Sequence, residues 1–149
     1  MQILFVCMGN TCRSPMAEVM FNTHTPNRDW EAASAGIATW NGMMASLPAI
    51  DEMEARGMSL DHHRSRQIDA DMIEAADLVL SMTANHKRTL LQQFPEYKDK
   101  IFTLGEYAKM PEAEVQDPFG QGAESYLNTA NQLVKLLQAI FDMIEDKSE

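Results

Sequence analysis

Ile3-Leu4-Phe5-Val6-Cys7-Met8-Gly9-Asn10-Thr11-Cys12-Arg13-Ser14-Pro15 is the stretch from which the fold can be read. Its first four residues form a short, continuous apolar run, the pattern of a strand covered on both faces. Ser14-Pro15 marks the other end. Serine is a good helix N-cap and proline is tolerated at the first helical position, so a helix is expected to start there. It would carry Met16, Ala17, Met20 and Phe21. A buried strand that leads through a short loop into a helix is the opening of an alternating α/β chain.

Reading outward, the alternation continues. Trp30 to Ala35 reads as a second strand ending at Gly36, and Pro48 to Arg56 as a helix closed by Gly57. Asp69 to Ala75 reads as a short helix capped by Asp69, and Leu78-Val79-Leu80 as a third buried strand. Asn85 to Phe94 is helical and stops before Pro95, and Lys100 to Leu104 is a fourth strand. Leu127, Ala130, Leu133, Val134, Leu137, Ile140, Phe141 and Ile144 make a helical stripe toward the C-terminus. The expectation is one domain over residues 1–149: a parallel sheet with about five helices on its two faces. Ligands of such folds sit beyond the carboxyl ends of the strands, which points back to the loop after Val6.

That loop has the makings of an anion cradle. Backbone N–H groups turn inward ahead of a helix N-terminus, whose dipole adds partial positive charge. Gly9 is expected to let the chain turn tightly, and Arg13 can present a bidentate fork to two phosphate oxygens. Cys7 stands at the strand end on the floor of the cradle, where amides, dipole and Arg13 would all stabilise a thiolate. A thiolate beneath a bound phosphoryl group is a nucleophile for phosphoryl transfer. Ser14 could cap the helix and also donate to Cys7 as it leaves. Cys12 is either a core thiol or the partner of Cys7 in a reversible disulfide that shields it from overoxidation. A zinc site from Cys7, Cys12, His62 and His63 is disfavoured, because adjacent histidines rarely serve one tetrahedral ion and no C-x2-C pair exists.

The chain has 149 residues, 45% hydrophobic and 23% charged, an ordinary globular balance that excludes disorder. Acidic residues number 22 against 12 basic ones, for a net charge of -10, a field that opposes nucleic-acid backbones and anionic lipid. No nucleic-acid or membrane partner is therefore expected. No apolar run is long enough to span a bilayer, and no basic segment precedes Ile3-Leu4-Phe5-Val6, so the chain reads as cytoplasmic. The twelve methionines point to a soft core, with Met43-Met44 read as packing.

At this loop the sequence resembles the low-molecular-weight protein phosphatase family, and the likeness covers nearly the whole chain. Met1 to Glu18, Ser34-Ala35-Gly36, His63-Arg64-Ser65-Arg66, Ala76 to Met82 and Asp117-Pro118-Phe119-Gly120 match its motifs in order. The resemblance implies a three-layer α/β/α fold with a four-stranded parallel sheet of order 2-1-3-4. It also implies a mechanism. Cys7 attacks phosphorus, Arg13 holds the phosphoryl oxygens, and Asp117 protonates the leaving group and then activates water. Asn10, Ser14, Ser34 and His63 match loop-bracing positions, and Met8, Gly9, Asn10, Thr11, Cys12 and Ser14 fall in the substrate cradle. Arg66 is either a solvated charge or a further brace. Trp40 is either a pocket-wall aromatic or part of a surface turn with Asn41-Gly42. Phe119 is the single aromatic after Asp117-Pro118. No cofactor or metal is implied, since the cradle and Arg13 do the charge work.

Within the family, many tyrosine-specific members carry Ile or Leu one residue before the second cysteine. Thr11 stands there, and Gly9-Asn10-Thr11-Cys12-Arg13-Ser14 resembles the bacterial protein arginine phosphatase branch. A threonine hydroxyl at the cradle lip can orient a donor-rich guanidinium, where isoleucine offers an apolar wall suited to a phenyl ring. Asp117 and Phe119 could supply the carboxylate and aromatic neighbours a guanidinium wants. The expected substrates are phosphorylated proteins, phosphoarginine first and phosphotyrosine as the alternative, with inorganic phosphate as product and inhibitor. Two further readings are weaker. An arsenate reductase needs relay cysteines and none follows Cys12; a non-catalytic phosphate-binding module needs an inert Cys7. A monomer is expected, with the oligomeric state left open.

Overall fold

The computed structural model describes residues 1–148. Strand β1 (Gln2–Cys7) pairs in parallel with β2 (Glu31–Gly36) on one side and β3 (Leu78–Ser81) on the other. Strand β4 (Ile101–Thr103) pairs in parallel with β3, so the order is β2-β1-β3-β4, the 2-1-3-4 sheet implied by the resemblance. The apolar run Ile3-Leu4-Phe5-Val6 is continuous because both faces of β1 are covered. Ile3, Phe5 and Cys7 point into one core cluster with Leu78 and Leu80, while Leu4 and Val6 point into another with Val79 and Ile101.

Helices α1 (Arg13–His24), α2 (Leu47–Ala55) and α6 (Ala123–Ser148) contribute to the first core, and α3 (Ala70–Ala75) and α4 (Ala84–Gln93) to the second. Three caps fix where helices begin. The Ser46 hydroxyl accepts from Ala49 N–H, Asp69 from Met72 N–H and Thr83 from His86 N–H. No helix among the described residues is long and apolar enough to cross a membrane.

Four local expectations are corrected. First, α1 starts at Arg13 rather than Ser14, with Cys12 at its N-cap and no side-chain cap. The Ser14 hydroxyl is 2.9 Å from the Cys7 sulfur instead, so the capping role gives way to a tertiary contact. Second, β4 is shorter than Lys100 to Leu104. A 3-10 turn occupies Pro95–Lys100, and Thr103 forms a capping box with Glu106 that opens a short helix, α5 (Leu104–Tyr107). Third, Leu127 and Val134 on α6 are exposed, and Tyr126 and Leu136 are buried in their place. The inner seam of α6 runs Tyr126, Ala130, Leu133, Leu137, Ile140 and Ile144. Leu127 and Val134 lie one position off it; Phe141, equally offset, is buried through its ring contact with Phe21 at 5.3 Å. Fourth, Met43 and Met44 are exposed rather than packed, although Met16, Met20, Met53, Met58 and Met82 do fill the core.

Candidate active site

The loop between β1 and α1 wraps around the sulfur of Cys7. The Asn10 backbone N–H donates to that sulfur at 3.3 Å, and the Ser14 hydroxyl lies 2.9 Å from it on the other side. The second contact places Ser14, in the first turn of α1, facing back toward the strand end. The tight turn does not fall on Gly9, where a side-chain carbon would meet only Thr11 Oγ1 at 3.8 Å. Asn10 carries it, at φ 56°. The left-handed region is costly for most side chains but tolerated by asparagine. Gly36 is the glycine whose absent side chain matters here: a Cβ would approach Met8 O and Thr39 Cγ2 to 3.0 Å and Asn10 Cβ to 3.1 Å. A bare backbone at the end of β2 therefore lets that strand's exit close onto the loop, with Ile37 N–H donating to Cys7 O and Ala38 N–H to Met8 O.

Asn10 is the hub of the cradle's support. Its side-chain amide donates to Ser14 Oγ at 2.8 Å and Ser34 Oγ at 2.9 Å, and its carbonyl side accepts from Arg66 N–H at 2.9 Å. Its backbone carbonyl accepts from His63 Nε2 at 2.7 Å, which fixes the proton on that nitrogen. The Ser34 hydroxyl donates to Glu18 Oε1 at 2.6 Å, and the Arg66 guanidinium donates to Ser34 O at 3.3 Å. Arg66 therefore braces the loop chiefly through its backbone N–H, while its side chain stays exposed. Asn10→Ala removes three side-chain hydrogen bonds at a buried position. It is expected to lower stability by about 3 kcal/mol, at roughly 1 kcal/mol per bond, read as a lower urea midpoint with an unchanged slope.

A cleft of about 320 Å³ opens above the sulfur. Cys7, Met8, Gly9, Thr11, Cys12 and Arg13 line it from the loop, Trp40 and Met43 from the segment after β2, and Asp117 and Phe119 from the segment before α6. Asn10 and Ser14 lie behind the floor, fully buried. Trp40 and Phe119 are 81% and 70% exposed, so both rings stand at the mouth with faces free for a bound group. Trp40 is at once on the surface and on the cleft wall.

Arg13 is buried, donates from Nη1 to Val115 O at 3.0 Å and holds Nη2 3.7 Å from Asp117 Oδ2. Asp117 is more than half exposed at the rim, and its Oδ1 accepts from Phe119 N–H at 3.0 Å. Its segment is tied down on both sides. Gln116 N–H donates to Gln132 Oε1 and Thr129 Oγ1 to Gln116 O, both on α6, while Ala84 N–H at the start of α4 donates to Glu114 Oε1 at 2.7 Å. Asp117 is therefore brought to the cleft from 110 positions beyond Cys7 by contacts with two helices.

The supporting shell includes residues the sequence did not single out. Cys12 is a free thiol between the hydroxyls of Tyr126 at 3.3 Å and Ser46 at 3.4 Å. Burial, with the Cys12 contact second, pushes the Tyr126 phenol up to about 12. Cys7 is free as well. His86 lies buried with its Nδ1 unpartnered among the described residues. Burial first, and the Arg13 charge second, lower its pKa to about 4 against opposing pulls from Asp117 and Glu114. It stays neutral near pH 7 and adds no charge behind Arg13. Tyr126 was legible as the next step of the α6 seam; Glu18, Ser46 and His86 carried no local signal.

The cleft joins a buried thiol, a loop N–H turned onto it, an arginine and a carboxylate, a set suited to phosphoryl transfer. Residues 2–149 match the low molecular weight phosphotyrosine protein phosphatase family. A protein-arginine-phosphatase of Bacillus subtilis (strain 168) is 38% identical over 142 residues, covering 94% of each chain. A low molecular weight protein tyrosine phosphatase from T. tengcongensis is 42% identical, superposes with a TM-score of 0.92 and covers 96% of this chain and 99% of its own. A mutant of the YwlE arginine phosphatase with a phosphorylated active-site serine is 36% identical with a TM-score of 0.91, covering 97% of this chain and 96% of its own. A cleft of this make at the head of a 2-1-3-4 sheet, matched along nearly its full length, places the chain in the low molecular weight phosphotyrosine protein phosphatase family: it is a protein phosphatase.

Proposed function

We propose that this protein phosphatase hydrolyses phosphoarginine in proteins, with Cys7 as nucleophile, Arg13 as phosphoryl clamp and Asp117 as general acid and then general base. The observation that carries the reading is one cleft with the Cys7 sulfur at its floor, between Ser14 Oγ and Asn10 N–H, and the Arg13–Asp117 pair at its rim. The phosphoryl group enters with its oxygens on the loop amides, and the Arg13 fork turns its free N–H groups to two of them. The Cys7 thiolate attacks phosphorus. The P–N bond breaks, its electron pair leaves on the guanidine nitrogen, and that nitrogen takes the proton of Asp117. Asp117, now a carboxylate, draws a proton from water. The water oxygen displaces sulfur from phosphorus, and the departing thiolate is received by the Ser14 hydroxyl and the Asn10 amide. A phosphorylated serine in the active site of the related mutant enzyme supports transfer through an enzyme-bound phosphoryl group.

Thr11 on the cleft lining, the exposed Asp117 carboxylate and the likeness to a protein-arginine-phosphatase support the phosphoarginine preference. Phosphotyrosine is the second reading, favoured by the two exposed rings at the mouth and the likeness to a tyrosine phosphatase. Side-by-side turnover of phosphoarginine and phosphotyrosine peptides, with Cys7→Ser as the blank, separates them. The proposal expects a clear excess of kcat/KM on phosphoarginine, and equal or reversed preference overturns it. Thr11→Ile replaces a hydroxyl by a methyl-bearing wall and is expected to shift the ratio toward phosphotyrosine by about tenfold, the scale of one such group in a pocket. An unchanged ratio would remove Thr11 from the account of specificity.

The net charge of -10 fits a reading in which the protein works in a cytoplasm on protein substrates. Phosphate, the product, would compete for the same cradle.

A further inference from the structure

A second groove, of about 400 Å³, lies beside the active-site cleft between the start of α2 and the residues entering α6. Leu47, Pro48, Asp51, Glu52, Ala55 and Gln121 line it. Its lining adjoins that of the cleft at two places. Gln121 is two residues beyond Phe119 of the cleft wall, and Leu47 follows Ser46, whose N–H donates to the carbonyl of Thr11 at 2.9 Å. Leu47 is 71% exposed, and with Pro48 and Ala55 it makes an apolar strip. Two carboxylates edge that strip. Glu52 is held by Arg56 at 2.7 Å, whereas Asp51 is exposed and forms no salt bridge among the described residues.

We propose that this groove is a second subsite for the phosphoprotein substrate, taking a lysine or arginine side chain that flanks the phosphorylated one. A hydrocarbon stem would lie on Leu47, Pro48 and Ala55 while the cationic head meets Asp51, the division of labour that long basic side chains favour. The net charge of -10 has the sign that draws such a segment in. The inference rests on the phosphatase reading and adds to it a preference for basic flanking sequence.

The test compares wild type with Asp51→Lys on three substrates: para-nitrophenyl phosphate, and two phosphopeptides identical except for arginine or glutamate at the flanking positions. Asp51→Lys is expected to raise KM for the arginine peptide about fivefold at unchanged kcat, the scale of a surface ion pair lost and reversed. KM for the glutamate peptide should fall, and the kinetics on para-nitrophenyl phosphate should not change. Raising salt should shrink the difference between the peptides in wild type. Equal KM shifts for both peptides, or none, overturn the subsite, as does a change in sedimentation with no change in peptide KM, which would assign the groove to a second copy of the chain. Wild type failing on para-nitrophenyl phosphate would instead sink the phosphatase reading; turnover of it with indifferent peptides sinks the subsite alone.

Discussion

Cys7→Ser is expected to reduce steady-state turnover of phosphoarginine and phosphotyrosine substrates by at least about 10⁴-fold, the scale seen when a covalent nucleophile is removed from an intact site. The change is nearly isosteric, and the sulfur sits in a pocket already shaped by Ser14 Oγ and Asn10 N–H, so the fold should hold. Two things fail together. A hydroxyl is far less ionised than a thiol, so attack slows. An alkoxide is also a poorer leaving group than a thiolate, so any phosphoryl group that does transfer stays. Thermal unfolding should show an unchanged Tm and continued stabilisation by phosphate, because amides and Arg13 are untouched. Intact mass after incubation with substrate should show retained phosphoryl groups on a fraction of the protein. Turnover within tenfold of wild type would remove Cys7 from the nucleophile's place.

Asp117→Asn carries the second-largest expected effect, a fall in kcat of about 10²–10⁴, the usual worth of a positioned general acid. The loss should depend on the leaving group. A guanidine or a tyrosine phenolate needs the proton Asp117 supplies, whereas a nitrophenolate leaves readily without it, so para-nitrophenyl phosphate should suffer least in the first step. The second step loses its base for every substrate, so a pre-steady-state burst of nitrophenol followed by slow turnover is the expected trace. The geometry sharpens the prediction. Asp117 touches Arg13 Nη2 only at 3.7 Å and its segment is anchored through Gln116 and Glu114, so the variant should leave cradle and fold in place. Equal losses on all substrates, without a burst, would mean that Asp117 acts by orienting Arg13 and not by moving a proton.

How much of this was legible from residues alone varies from element to element. The run Ile3 to Val6 identified β1 because a strand buried on both faces needs no alternation, and the Asp69 cap stood where a carboxylate oxygen can take a free N–H of the first helical turn. Ser14 misled because the same hydroxyl can cap a helix or bond a sulfur. Only the presence of Cys7, brought within 2.9 Å by the strand end, decides between them. Gly9 misled for a related reason: asparagine can take the left-handed turn when its amide has buried partners, and those partners come from Ser34 and Arg66 on other elements.

What the sequence by itself determined is the alternating parallel architecture and the loop that carries thiol, amides and Arg13, because those depend on periodicity, caps and neighbours within one turn. What only the tertiary structure decided is everything that reaches the loop from a distance. Asp117 meets Arg13 through anchors on α4 and α6, Arg66 acts as a brace, Trp40 belongs to surface and cleft together, and the second groove exists only where α2 lies against the approach to α6. Contacts between residues far apart in the chain are set by how the helices pack on the sheet, and that packing has no period to read.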